Sequence, residues 1–340
     1  MADTKLDAVS LAQKLIEIDT VNGNETECAE YLGAILRDAG FSVKYHDYKQ
    51  GRATLIAEIS GTGNRLPLCF SGHLDVVPFG EAKWTSEPLG GEISDGKLFG
   101  RGASDMKAGV AAMTVAAIRA ANLKKINSGL KLIFSAAEEN ACQGVNELVK
   151  TCDFLGEAGA LVIGEPTSNY PVIGHKGAFW LKIRTKGKSA HGSMPDEGVN
   201  AIYKMSEIIT KLRDYKFKCE PNPILGPPTL NVGKIEGGIN YNLVPDSSVI
   251  YVDIRTIPEI SHNDLLEDLS KCLGPDAEIS IETDASGVAS SPNDPWIKDV
   301  FKTTEKYIGE SPKPKGVAYF TDASALSEFY KNPPVVVLGP

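Results

Sequence analysis

The chain has 340 residues, 42% of them hydrophobic and 23% charged; this is a globular composition and excludes a disordered chain or a fibre. That length is about twice the usual domain size, so two domains or one domain with a large insertion is expected. A net charge of −9 argues against nucleic acid or an anionic membrane as the main partner, since both require a basic footprint.

The first residues, Met1 to Asp7, show neither the basic n-region nor the apolar h-region of a secretory signal, and a cytoplasmic protein is expected. Gly109 to Ile118, the longest apolar stretch, is far short of the ~20 residues that a bilayer span needs. An amphipathic pattern predicts a helix over Leu6–Ile18 and another over Glu25–Asp38, closed by Gly40 at the left-handed C-cap position. Strands are predicted at Phe41–Tyr48 and Ala53–Ile59. Short, nearly continuous apolar runs follow at Leu66–Phe70, Leu130–Phe134, Ala160–Ile163 and Val335–Leu338, with helical stretches at Met106–Asn122 and Gln143–Thr151. Such runs suit strands buried on both faces of a mostly parallel sheet flanked by helices, an α/β layer.

From about Gly177 the pattern changes. Strand (Ala178–Thr185), helix (Asn200–Leu212), strand (Thr229–Ile235), strand (Ser248–Thr256), helix (His262–Cys272) and strand (Glu278–Glu282) follow in turn. This β-α-β-β-α-β order is the ferredoxin-like unit. Because a helix at Trp296–Ile308 and an apolar strand come after it, the unit is expected as an insertion. The expected domains are 1–176 with 288–340, and 177–287. The six cysteines, at positions 28, 69, 142, 152, 219 and 272, form no Cys-x-x-Cys pair and read as buried reduced thiols.

Ligands of open α/β sheets gather beyond the carboxyl ends of the strands. Metal-competent residues follow the apolar runs at just those places: His73 and Asp75, then Glu138 and Glu139, then Glu165, with Asp105 in the loop before the alanine-rich helix. One imidazole with several carboxylates on one edge is what a hydrolytic zinc site requires. Each residue alone has a plainer reading. A lone His after a strand is commonly structural, Glu138-Glu139 would serve as a solvated helix start, and Asp105 as a helix N-cap. His73 and Asp75 lie two apart on an extended chain, which points both the same way and lets Asp75 accept the second imidazole N–H.

In order and spacing, Ser71-Gly-His-Leu-Asp-Val-Val-Pro78, Trp84, Gly100-Arg-Gly-Ala-Ser-Asp-Met-Lys-Ala-Gly109, Ala137-Glu-Glu139 and Gly164-Glu-Pro-Thr167 resemble the M20 metallohydrolases. This is the group of acetylornithine deacetylase, succinyl-diaminopimelate desuccinylase, carboxypeptidase G2 and aminoacylase-1. The resemblance implies that His73, Asp105 and Glu165 bind one zinc, that Asp105 bridges to a second zinc held also by Glu139, and that cobalt could replace zinc. It implies Glu138 as general base, Asp75 as the partner of His73, and a cis Asp105–Met106 peptide. The inserted unit matches the family's lid or dimerisation domain. Its segment Gly187-Lys-Ser-Ala-His-Gly-Ser193 resembles the one whose His, here His191, reaches the partner subunit's site to stabilise the oxyanion. Asn242 and Arg255 resemble substrate-contacting positions, Arg255 being a natural fork for an α-carboxylate, and Thr321-Asp-Ala-Ser324 resembles a loop near the site. His46, His175 and His262 match no metal position.

The implied activity is removal of an acetyl or succinyl group from an N-acyl amino acid, in amino-acid biosynthesis, by a cytoplasmic homodimer. A dipeptidase or carboxypeptidase of the same family is the alternative. The family pattern continues past its Gly-Pro-Gly to an Ala-His ligand of the second zinc, whereas this sequence stops at Gly339-Pro340. The expectation is therefore a C-terminally truncated chain with a weak second zinc site, or a catalytically impaired homologue that binds metal or ligand.

Overall fold

The computed structural model of the protein describes residues 6–123 and 126–340; residues 1–5, part of the segment read for a signal, lie outside them. In chain order the first elements are α1 (Ala8–Glu17), α2 (Glu25–Asp38), β1 (Ser42–Lys49), β2 (Arg52–Ile59), β3 (Arg65–His73), β4 (Ile93–Ser94) and β5 (Lys97–Leu98). Then come α3 (Lys107–Ala121), β6 (Ser128–Ser135), α4 (Gln143–Thr151), β7 (Ala160–Ile163), β8 (Gly174–His175), β9 (Gly177–Lys186), α5 (Ala201–Asp214), β10 (Thr229–Gly237) and β11 (Ser247–Thr256). The chain closes with α6 (His262–Leu273), β12 (Glu278–Ala285), β13 (Val288–Ala289), α7 (Pro295–Ile308), α8 (Ala323–Phe329) and β14 (Val335–Val337). No described helix is long and apolar enough to cross a membrane.

The chain divides into two compact units. Met1–Gly174, Ala289–Lys315 and Thr321–Pro340 form the first, and His175–Val288 with Gly316–Phe320 the second.

The first unit is built on a sheet of order β1-β2-β6-β3-β7-β14. β6, β3, β7 and β14 run parallel, while β1 and β2 are antiparallel. It is the expected α/β layer, a mostly parallel sheet flanked by helices. Its central strands are buried on both faces, which is why they read as apolar runs, whereas edge strand β1 alternates exposed and half-buried residues. Lys131 breaks the run in β6 yet is fully buried, its Nζ donating to the carbonyls of Leu155 and Glu157. α1 starts at the Asp7 cap, whose carboxylate accepts from Ser10 N–H at 2.9 Å. Leu11, Leu15, Leu32, Leu36, Val110 and Phe134 share one core.

The second unit runs β9-α5-β10-β11-α6-β12, with sheet order β10-β11-β9-β12 and every pair antiparallel. This is the expected ferredoxin-like order. β11 alternates buried and half-buried residues along its length. Phe179, Ile183, Met205, Ile208, Ile254 and Leu269 form the core between sheet and helices. His262 bridges Thr256 Oγ1 at 2.8 Å and Asp284 Oδ1 at 2.5 Å. In the same unit His175 is wholly buried, and burial pushes its pKa down to about 4. His46, in the first unit, pairs with Glu147 at 2.5 Å. All three histidines thus have structural contacts.

Two glycines let helices approach the loops at the sheet's carboxyl edge. A Cβ on Gly109 of α3 would lie 2.3 Å from the Gly164 carbonyl oxygen, and one on Gly144 of α4 would lie 1.9 Å from that of Ala136. Gly109→Ala should therefore push α3 off the loop before Glu165 and cost about 1–3 kcal/mol, read as a lower denaturation midpoint. An unchanged midpoint would show that the loop gives way freely.

Candidate active site and metal centre

β3, β6 and β7 end side by side, His73 standing opposite Ser135 in the register. From these ends the chain delivers His73, Glu138-Glu139 and Glu165, and the loop before α3 brings Asp105 to them. The Asp105–Met106 peptide is cis. His73 is 1% exposed; its Nε2 lies 3.0 Å from Asp105 Oδ1 and 3.6 Å from Glu165 Oε1. Its main-chain N–H points at Met106 Sδ, 3.2 Å away.

Two sets of side chains offer ligand atoms within 4.8 Å of one another around this imidazole: His73, Asp105 and Glu139, and His73, Glu138 and Glu165. Sharing one imidazole between two oxygen-rich sets suits a divalent cation or a pair of them. A further set, Glu138, Cys142 and Asp322, lies behind the first two. Cys142 Sγ donates to Glu138 Oε1 at 3.4 Å, and Ser135 Oγ donates to Asp322 Oδ2.

The position of Asp75 differs in detail from the sequence expectation. Its main-chain oxygen, not its carboxylate, takes the His73 Nδ1 at 2.9 Å, and the nearer carboxylate oxygen is 3.6 Å away. The carboxylate is engaged by peptide N–H groups instead: Glu138 N–H on Oδ1 at 3.0 Å and Glu139 N–H on Oδ2 at 3.1 Å. These buried donors need an acceptor, and the carboxylate supplies both.

Charge crowding sets the proton affinities. Burial, with Asp322, Asp75 and Glu139 nearby, pushes Glu138 up to about 8 against the opposing pull of His73. Burial also raises Glu139, Glu165 well above its ordinary range, and Asp322 to about 6. Burial alone would lower His73, but Glu165, Asp105, Glu138 and Asp75 outweigh it and hold the imidazole well above 6.5. Beneath the site Lys107 is fully buried, its Nζ donating to the Ile18 carbonyl at 2.7 Å.

Of the other expected residues, His191, Asn242 and Arg255 belong to the second unit. His191 is exposed, its Nδ1 2.8 Å from Ser193 Oγ. Gly192 N–H donates to the Asn242 carbonyl at 2.8 Å, which places the His191 and Asn242 segments together. Arg255 pairs with Asp253 at 2.9 Å and lies 5.8 Å from the ring centres of Trp180 and Phe320. Sequence reasoning did not single out Glu25, Arg52, Thr54 or Cys142. Asp322 appeared only as part of a loop near the site.

The fold and the carboxyl-edge cluster of imidazole and carboxylates describe a hydrolase of the α/β layer class. Residues 69–340 match the profile of peptidase family M20/M25/M40, and the chain belongs to that family. It is 30% identical over 366 aligned positions to a probable succinyl-diaminopimelate desuccinylase of Staphylococcus epidermidis, covering 98% of this chain and 90% of the relative. To an acetylornithine deacetylase of Proteus mirabilis it is 33% identical over 352 positions, covering 98% and 88%. In three dimensions it resembles the M20 metallo-carboxypeptidase Sso-CP2 of Sulfolobus solfataricus, with a TM-score of 0.79, 19% identity, and coverage of 98% of this chain and 91% of that one. The protein is a hydrolase that acts on amides or peptides.

Stripping the protein of metal gives a prediction with a definite sign. Glu138, raised from 4.5 to about 8, makes the folded state hold a proton that the unfolded chain releases at lower pH, so its contribution falls as pH rises between those values. His73, raised above 6.5, contributes fully below that pH and loses its contribution as pH climbs through its raised folded value. The melting temperature in chelator should therefore fall from pH 5 to pH 8. Adding a divalent cation should restore it and release protons. A melting temperature that is flat or rising over this range would contradict the assignment.

Proposed function

We propose that the chain is a zinc-dependent amidohydrolase that removes a succinyl or acetyl group from an N-acyl amino acid. What supports the reading is the gathering of Asp105, Glu138, Glu139 and Glu165 oxygens around His73, joined to relatives named for desuccinylation and deacetylation. His73, Asp105 and Glu165 would hold one zinc, and Asp105 with Glu139 would hold a second; cobalt fits the same donors. When bound, the metal supplies Lewis acidity toward water and the amide carbonyl.

The remaining chemistry belongs to the chain. Glu138, with its raised proton affinity, takes a proton from the attacking water and returns it to the leaving amine. Asp75 orients His73 through its main-chain oxygen and holds the peptide of Glu138. Arg255, beside the rings of Trp180 and Phe320, and Asn242 recognise the carboxylate of the amino-acid half. His191, exposed on the second unit, donates to the oxyanion in a partner subunit's site.

A homodimer is supported by apolar side chains that stand in water on the second unit: Tyr241 is 100% exposed, Ile239 87% and Tyr203 71%. Large apolar side chains exposed to this degree suit an interaction surface. Residues 177–287 would be the lid and dimerisation domain, and 1–176 with 288–340 the catalytic one.

Glu138→Gln should lower kcat by about 10²–10⁴-fold on the substrate that the wild type accepts among N-succinyl and N-acetyl amino acids and dipeptides. A wild type that cleaves only dipeptides would overturn the substrate assignment, and equal rates for wild type and variant would overturn the role of Glu138. Tyr241→Glu should convert a dimer to a monomer by light scattering and cost at least about tenfold in kcat through the loss of His191. A fully active monomer would refute the shared site.

A further inference from the structure

We propose that the buried ion pair of Glu25 and Arg52, with Thr54, is a positioning device that fixes the turn presenting Glu138 and Glu139. The proposal rests on the roles given to those two residues above.

Successive peptide N–H groups of the turn each end on a side-chain oxygen from elsewhere in the chain. Ala136 N–H donates to Thr54 Oγ1 at 3.2 Å and Ala137 N–H to Glu25 Oε1 at 3.2 Å. Glu138 and Glu139 N–H donate to the oxygens of Asp75 at 3.0 and 3.1 Å. The Arg52 guanidinium links two of these acceptors, Glu25 and Asp75. Its Nε donates to both oxygens of Glu25, at 2.9 and 3.0 Å, and its Nη2 also bonds Glu25. The same Nη2 is 3.7 Å from Asp75 Oδ2, while Nη1 donates to Asn140 Oδ1 at 3.2 Å on the far side of the turn.

Glu25 opens α2, where an acidic residue ordinarily stays in water and favours the helix start through the dipole. Here the side chain is 0% exposed and turned onto another segment. A buried ion pair is a poor means of stabilising a fold, because well-packed apolar residues do as well or better. It does fix geometry, and the turn needs fixing: Ala137, Ala141 and Cys142 are left-handed, with φ of 59°, 63° and 55°. Non-glycine residues hold such conformations only where their surroundings over-determine them. Once freed, the turn would let the Glu138 carboxyl drift, and a displacement of about 1 Å can cost about 10²-fold in rate.

The test compares Glu25→Gln, which keeps an acceptor for Ala137 but loses the ion pair, and Arg52→Lys, which keeps the charge but loses the fork, with Ile16→Val, a core change in α1. Each is read by kcat and KM, by the visible spectrum of added Co²⁺, and by hydrogen exchange of peptides spanning 136–142. Both clamp variants should lower kcat at least about tenfold with KM within about twofold, alter the Co²⁺ spectrum, and speed exchange in 136–142 above the rest of the unit. Ile16→Val should do none of these. If a clamp variant does not fold, Thr54→Val, which removes only the hydroxyl acceptor, carries the same readouts. Clamp variants matching Ile16→Val in all readouts would overturn the proposal. A wild type inert on every substrate would overturn the proposed function instead, leaving the clamp to be judged by exchange and the Co²⁺ spectrum, which need no turnover.

Discussion

Mutual repulsion among carboxylates gathered around one buried imidazole is the constraint that the rest of the first unit answers. Asp105, Glu138, Glu139 and Glu165 offer oxygens around His73, with Asp75 and Asp322 close behind. Burying Asp75, Glu165 and Asp322 and half-burying Glu138 and Glu139 is costly unless protons, cations or N–H dipoles meet them. Each answer is present. His73 is pushed toward its charged form and Glu138 toward its neutral one, and Asp75 is satisfied by backbone donors. Lys107 and Arg52 supply buried or half-buried positive charge from below. A divalent cation would replace the protons and invert the local proton affinities.

The sheet makes this gathering possible. Parallel strands deliver their carboxyl ends to one edge, so residues more than sixty positions apart in sequence, such as His73 and Glu138, arrive together. The helices then close on those ends. Gly109 and Gly144 let α3 and α4 sit directly on loop carbonyls, leaving Glu165 and the 136–142 turn little freedom to relax away from the crowd.

Much of this was legible in the sequence because the periodic signals were strong. Buried strands showed as apolar runs, the inserted unit showed as a change of period near Gly177, and His73, Glu138, Glu139 and Glu165 each followed a run. The structure brings those residues and Asp105 together. What stayed hidden depends on tertiary pairing. Glu25 reads as any acidic residue at a helix start, and Arg52 as a charge at a strand end; only folding shows them gripping the same turn. Alternation along an extended chain points Asp75 and His73 the same way but could not show that peptide N–H groups would claim the Asp75 carboxylate. α8 is seven residues long and the β4–β5 hairpin two residues a strand, too short for any period to register.

The donor set also bears on which cation the site would choose. Among the described residues, His73 is the one imidazole in either ligand set around it, and the remaining donors are carboxylate oxygens. Imidazole suits zinc, copper, iron and nickel, while carboxylate oxygens suit harder ions such as magnesium, calcium and manganese. A set this rich in oxygen discriminates less among divalent ions than one with several imidazoles. Geometry contributes to selectivity where ligand softness is indifferent. The turn carrying Glu138 and Glu139, held along successive peptides, and the loop of Glu165, pressed by Gly109, are where this chain provides it.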